Sequence, residues 1–520
     1  MKKSFWVYAV LIALMYTNAA NAASLKPTSV GKNHLNLKEI NLFEEQTAEA
    51  APELLIASDS PTTTGKSAAA DNSDATEMTP EGYTLERAVT INEPAPQHTP
   101  YQSWVKDFSD IFTLRGGVHR GLNAKQASAE KQEEKTVVKQ WLDGDYATGR
   151  WFGARPLLED HGVTVNSGLL YSPVMKTGGG LNDANSTKGY SLFNLSVTVD
   201  TEKAGGWKGG TFYGLYQKKT GYGISGPNGN GGAMGDWMGL DGWDWRQMNQ
   251  LSELWYQQKL FKEKLRLKVG KQDANMDFGY LNTGWDFMNT AFSVNPTTPM
   301  PTYPDQAFGF VAEVTPKEWL SIKNGTYSRF NVPFNITELM VKPTIKKLPG
   351  RYMLGAWEMS DSNGMSVATG MNGAGMTVGN TFNRNFGAYA GFEQMIFKEN
   401  KKDENDMQGL TLFGQAGISP SNRNDMSKYI GGGLHYIGPI PKRDKDRAGI
   451  AIANGTFASR LNDVGSDYGT RNGSETVLEA FYRIQVSPWF YLQPDVQFIM
   501  NPGGAYQNSV AIGLRSVITF

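Results

Sequence analysis

Val510-Ala511-Ile512-Gly513-Leu514-Arg515-Ser516-Val517-Ile518-Thr519-Phe520 alternates in character from residue to residue. The even positions are apolar apart from Ser516, whereas Gly513, Arg515 and Thr519 fall on the odd ones. Successive side chains of a strand point to opposite faces, so this stretch reads as a strand with one face for lipid and one for water. The same pattern appears upstream. Leu478, Ala480, Tyr482, Ile484 and Val486 share one face, with Glu479, Phe481, Arg483 and Gln485 on the other. Phe490, Leu492, Val496 and Phe498 oppose Tyr491, Gln493, Asp495 and Gln497, and Leu265, Leu267 and Val269 oppose Arg266 and Lys268.

From Trp141 to Phe520 the chain consists of such runs, separated by clusters of Gly, Asn, Asp and Pro. Alternation also suits a soluble β-sandwich. Three features favour a transmembrane barrel. The amino terminus reads as an export signal; aromatic residues (Tyr171, Trp255, Trp319, Tyr436, Trp489) are expected at strand ends; and the runs have roughly the ten residues that a tilted strand needs to cross a bilayer. Fifteen or sixteen runs, roughly, can be counted, and single-chain bacterial barrels have even strand numbers, so the expectation is an all-β, 16-stranded antiparallel barrel over residues 141–520 with an aqueous lumen.

The export signal is local. Lys2 and Lys3 precede an apolar stretch from Phe5 to Tyr16, and Ala20-Asn21-Ala22 supplies a small-x-small site, which predicts cleavage after Ala22. The apolar stretch is too short for a membrane helix, which needs about 20 residues. Residues 23–125 form an acidic low-complexity extension expected to be mostly disordered, and 126–140 have the composition of a short helical lead-in.

Composition narrows the chemistry. With 50 basic against 51 acidic residues there is no basic footprint for nucleic acid, and zero Cys removes disulfides, thiolate metal sites and cysteine nucleophiles. Gly221-Tyr222-Gly223-Ile224-Ser225-Gly226 matches G-x-G-x-x-G, but Pro227 and further glycines follow where a helix must open, so it reads as a loop. Asp273, Asn275 and Asp277 resemble the start of a calcium loop, yet Phe278 and Gly284 occupy the positions that need Gly and a bidentate Glu. Five His leave little material for hydrolytic or metal chemistry, so no enzyme, cofactor or metal is expected. What remains is a lumen with charges of both signs beside aromatics: Glu253, Trp255, Arg266, Lys268, Glu313, Arg483, Asp495 and Arg515. Arginine and carboxylates suit paired hydroxyls, and an aromatic face covers the apolar face of a pyranose. The plainer reading is a solvated wall whose charges neutralise one another.

Several stretches resemble the carbohydrate-selective porin family, the OprB-type outer-membrane porins. Trp151-Phe152-Gly153-Ala154-Arg155-Pro156-Leu157-Leu158-Glu159-Asp160-His161-Gly162-Val163 is similar to its opening segment, and Leu267-Lys268-Val269-Gly270-Lys271-Gln272-Asp273 to its L-x-x-G-K-x-D strand end. Asn289-Thr290-Ala291-Phe292 with Tyr303-Pro304, then Pro349-Gly350-Arg351-Tyr352 with Gly355-Ala356-Trp357, continue the likeness. Glu479-Ala480-Phe481-Tyr482-Arg483, Pro488-Trp489, Leu492-Gln493-Pro494-Asp495-Val496-Gln497 and Asn501-Pro502-Gly503-Gly504 match in order and spacing. The resemblance implies a 16-stranded barrel in the outer membrane that passively admits monosaccharides such as glucose, with Phe520 read by the barrel-assembly machinery. The acidic extension lies outside the family pattern. An alternative expectation is therefore a general small-solute pore or envelope anchor, with residues 23–125 binding a cell-envelope partner.

Overall fold

The computed structural model describes residues 141–181, 183–225, 232–329, 332–371, 377–403, 406–458 and 473–520. The expected signal peptide, acidic extension and helical lead-in lie outside them. Sixteen antiparallel strands close into a barrel. They are β1 (Val163–Thr177), β2 (Ser186–Asp200), β3 (Gly210–Tyr222), β4 (Met248–Leu260), β5 (Leu265–Gln272), β6 (Ala307–Lys317), β7 (Leu320–Arg329) and β8 (Val332–Val341), followed by β10 (Leu348–Met371), β11 (Thr377–Lys398), β12 (Gly409–Ile418), β13 (Met426–Ile437), β14 (Arg447–Phe457), β15 (Ser474–Ser487), β16 (Phe490–Met500) and β17 (Ser509–Thr519). The two-residue β9 (Thr344–Ile345) pairs only with the start of β10. Each strand pairs with its neighbour in sequence, and β17 closes the ring on β1 with Gly168 opposite Thr519 and Val174 opposite Gly513.

The wall follows the period of two. In β17 Ile512 is 46% and Leu514 45% exposed on the outside, while Arg515 is 3% exposed on the inside. Closure leaves no sheet edge, so every strand has hydrogen-bonded neighbours on both sides, as a bilayer requires. Among the described residues no helix is long and apolar enough to cross a membrane. Trp319 and Trp489 sit in short turns and Tyr436 one residue from the end of β13. Tyr171 and Trp255 depart from the strand-end expectation: both lie within strands. Trp255 faces inward, as its place among the lumen residues predicts, and follows a β-bulge. The register between β3 and β4 shifts where Leu215 meets Glu253 and Tyr216 meets Leu251, so Ser252 and Glu253 are both buried and the alternation restarts with Trp255 on the inner face.

At one end of the barrel no connection between strands exceeds ten residues, whereas the other end carries the two longest, 223–247 and 273–306, and in outer-membrane barrels the end with the short turns faces the periplasm. These two long loops, 223–247 in its described residues 223–225 and 232–247, and 273–306, fold into the barrel, and the core of the described residues lies there. Phe278, Leu281, Phe287, Met288, Phe292 and Met300 from the second loop and Met234, Met238 and Leu240 from the first pack against wall residues such as Phe334, Trp357, Phe413 and Phe481. Glycines in the wall make the sockets: a Cβ at Gly449 would stand 2.6 Å from Phe287, and one at Gly325 2.7 Å from Phe278.

At the short-turn end, helix α1 (Ala154–Asp160) and the turn before it cover the seam between β1 and β17. Arg155 is buried, donates to the backbone oxygens of Val165 (3.1 Å) and Phe520 (2.9 Å), and lies over the rings of Tyr146 and Trp151 at 3.6 and 4.0 Å. Trp141 packs on Trp489 with ring centroids 4.5 Å apart.

Candidate functional site: the lumen constriction

Loop 273–306 carries four aspartates and no lysine or arginine. The wall facing it supplies Arg266 and Lys268 on β5, Lys323 on β7, Arg351 on β10, Arg447 on β14 and Arg483 on β15. Pairing follows from that opposition. Asp286 sits between Arg483 (2.7 Å), Arg447 (3.0 Å) and His435 Nε2 (2.6 Å). Burial alone would raise its carboxyl, but Arg447 and Arg483 outweigh that and hold it well below the usual carboxylate range. Asp277 sits between Arg266 (2.7 Å) and Lys268 (3.0 Å), and these cations likewise overcome burial to keep it low.

Wall carboxylates hold the loop backbone. Glu338 accepts from Gly279 N (2.7 Å) and pairs with Lys323 (2.6 Å). Glu393 accepts from Thr283 N (2.7 Å) and Asn282 Nδ2 (2.9 Å) and pairs with Arg351 (2.9 Å). Glu479 accepts from Met288 N (2.5 Å) and Asn289 N (2.9 Å). Loop 223–247 is tied less densely: Glu475 accepts from Trp237 N and Met238 N, both 2.8 Å, Asp241 pairs with Arg515 (2.7 Å), and Asp244 lies 3.5 Å from Lys219. Arg246 and Asp305 join the two loops at 2.6 Å.

All eight lumen residues chosen from the sequence lie on the inner face, in two groups. Glu253 accepts from Trp255 Nε1 (3.0 Å), Trp255 stacks on Tyr213 at 4.8 Å, and Lys268 Nζ stands 4.6 Å above the Trp255 ring. Arg266 joins this group by bridging Asp277 and Glu313 (2.8 Å). Across the lumen wall, Arg483 reaches Asp286 and lies over Tyr491 at 4.3 Å, Asp495 accepts from Gln497 Nε2 (3.1 Å), and Arg515 holds Asp241. Trp255, Arg266 and Glu313 remain partly exposed; the other five are buried.

Sequence reasoning missed the partners Asp241, Asp277 and Asp286 and the receiving carboxylates Glu338, Glu393 and Glu475. The one available signal was the run from 273 to 306 with acids only. It also missed an aromatic ladder across the two loops. Tyr303 meets Trp243 edge-on at 4.7 Å, Trp243 lies 5.7 Å from Trp285, and Trp285 stacks on Tyr280 at 6.0 Å with the Arg351 guanidinium 5.6 Å from the Tyr280 ring. Flat apolar faces bordered by fixed cations and carboxylates are suited to polyhydroxylated rings. Among the described residues no group of His, Asp or Glu is arranged to hold a metal ion.

Comparison with known proteins supports the same assignment. Porin B of Pseudomonas aeruginosa is 25% identical over 438 residues, covering 76% of this chain and 94% of that protein. The putative porin QuiX of Acinetobacter baylyi is 22% identical over 418 residues, covering 70% of this chain and 89% of that protein. Among solved structures, the high-pH structure of Pseudomonas putida OprB superposes with a TM-score of 0.63 at 20% identity, covering 73% of this chain and 99% of that one, a likeness of fold. A family model for the carbohydrate-selective porin, OprB family, matches residues 190–520, well over half of the chain. With a closed 16-stranded barrel, two loops folded into its lumen and this match, the chain belongs to the OprB family of carbohydrate-selective porins of the outer membrane.

Proposed function

We propose that the barrel passes monosaccharides of glucose size by passive, substrate-selective diffusion. The observation that carries this reading is the ladder Tyr303–Trp243–Trp285–Tyr280 beside Arg351, three of whose rings are buried and back the partly exposed Trp285, together with the partly exposed Trp255, Arg266 and Glu313 on the inner face of the wall. Trp255, Arg266 and Glu313 contact the sugar in this reading. Glu253, Lys268, Arg483, Asp495 and Arg515 hold the inserted loops or one another, so they set the width of the passage. Binding has to stay weak, because a sugar held tightly is not released; millimolar-class affinity corresponds to about 4 kcal/mol. In the same reading the chain is exported by a signal peptide cleaved after Ala22, and Phe520 is presented to the assembly machinery.

The test is conductance of the purified protein in a planar bilayer, titrated with glucose, maltose and succinate. Saturable block by glucose that Trp285→Ala abolishes is the expected result. Ohmic conductance indifferent to sugar would overturn sugar selectivity and leave a general small-solute pore.

A further inference from the structure

Four consecutive short turns, joining β2 to β3, β4 to β5, β6 to β7 and β8 to β10, line one half of the periplasmic rim. Each presents a large exposed apolar side chain within two residues of a lysine: Trp207 with Lys208, Phe261 with Lys262, Trp319 with Lys317, and Ile345 with Lys346. Residues 200–209, 259–264, 317–319 and 342–347 together hold nine lysines against four carboxylates. The rest of this rim is different. Residues 141–162, 398–408 and 438–446 hold eight basic against ten acidic residues.

The backbone shows that side chains are kept here at a cost. Phe261, Lys262 and Glu263 have φ of 54°, 57° and 65°, and Lys346 and Lys347 have 52° and 66°. Lys346 and Lys347 are the two central residues of a hairpin between Ile345 and Leu348, where asparagine and glycine are the favoured pair. Left-handed backbone at a non-glycine residue is disfavoured, so lysines in these positions point to a use for the side chain. The apolar members continue the lipid-facing wall. Trp207 meets Phe212 and Tyr256, each at 6.2 Å, and donates from Nε1 to Tyr256 Oη at 2.8 Å, while Leu254, Phe310 and Leu339 lie exposed further along the strands of the same half.

We propose that this half-rim, from the β2–β3 turn to the β8–β10 turn, is a binding site for anionic glycerophospholipid of the inner leaflet. The acyl chains lie on the apolar wall, the glycerol region meets the aromatic and aliphatic residues of the turns, and the phosphates meet the lysines. Aromatic rings favour the interface between hydrocarbon and headgroups, and each lysine near an anionic surface adds attraction. The surface pairs Lys208–Glu202 (3.8 Å) and Lys259–Glu263 (3.2 Å) are exposed and compete weakly with a phosphate.

Native mass spectrometry of the purified protein, offered dioleoylphosphatidylglycerol and dioleoylphosphatidylethanolamine in equal amounts, tests this. The expected result is a preference for phosphatidylglycerol of about ten-fold, on the order expected from a few interfacial lysines. Lys262→Gln, Lys264→Gln, Lys346→Gln and Lys347→Gln combined reduce the preference to near unity, whereas Lys401→Gln with Lys402→Gln on the opposite half leaves it unchanged. Trp319→Ala, which keeps every charge, lowers occupancy by both lipids. Equal binding of the two lipids by the unaltered protein overturns the proposal, as does equal loss in both sets of lysine variants. Displacement by excess inorganic phosphate would also overturn it, by assigning the site to a free anion.

Discussion

Loop 273–306 meets the wall through three carboxylates that receive its polar groups, Glu338, Glu393 and Glu479, and through two of its own aspartates set between wall cations. Among the described residues of loop 223–247, Trp237 and Met238 are received by one carboxylate, Glu475, and Asp241 and Asp244 form ion pairs with Arg515 and Lys219. Loop 273–306 also supplies most of the inserted aromatic and methionine core. It is fixed several times over and behaves as part of the wall. Loop 223–247 has fewer carboxylate anchors among its described residues and more freedom to adjust, although the aromatic ladder needs both.

Asp286→Asn tests the stronger anchorage and has the largest expected effect. It leaves Arg447 and Arg483 facing each other across a neutral amide, and removing one member of a buried charge cluster costs about 3–5 kcal/mol. The barrel should still assemble, because its strand pairs do not involve Asp286, while single-channel conductance rises and glucose block is lost. Unchanged conductance would mean that the receiving carboxylates suffice.

The two loops should also differ in their response to pH. Burial and then the neighbouring Asp241 push the Asp244 carboxyl up to about 6, against hydrogen bonds from Gly223 and Ser225 and the charge of Lys219. A carboxyl raised on folding contributes stability that is complete below its ordinary pKa of about 4 and is lost as pH rises through its folded value. Acidification from pH 7 to 5 should therefore tighten loop 223–247. Asp286, held low, contributes stability above the ordinary carboxylate range and loses it only as pH falls through its depressed value, so the segment of loop 273–306 around Asp286 should not respond in this window. Amide hydrogen exchange at the two pH values, corrected for the intrinsic rate, measures the difference, and Asp244→Asn should remove it.

The smallest effect is expected at the exposed ion pair between the loops. Arg246 and Asp305 are 46% and 55% exposed, and pairs of that kind contribute at most about 1 kcal/mol. Arg246→Ala should change conductance less than two-fold. A larger change would show that the loops move as one body.

The strands were legible because lipid on one side and a polar lumen on the other impose a period of two, and β15 to β17 show it over most of their length, with one register shift at Gln485 and Ser487 beside the β15–β16 turn. At β4 the period breaks. The extra residue Ser252 reverses the facing that follows it, and nothing in the local sequence marks a bulge. Placement on the inner face was legible for Arg266, Arg483 and Arg515, but their occupation was not. Their partners Asp277, Asp286 and Asp241 come from loops whose path is set by contacts tens to hundreds of residues away. The sockets at Gly325 and Gly449 look in sequence like ordinary strand glycines.

Every barrel pairing joins strands adjacent in the sequence except the one between β1 and β17. Hairpin pairings close short loops at small entropic cost, so the sheet can grow as a zipper from any point. The last pairing brings together ends more than 300 residues apart, with Gly168 opposite Thr519, and it is there that Arg155 binds the backbone oxygens of Val165 and Phe520. Segment 141–162 is thus a clasp on the costliest ring closure in the molecule: by slowing the parting of β1 from β17, it lengthens the lifetime of the closed barrel more than it changes the chance that any hairpin forms.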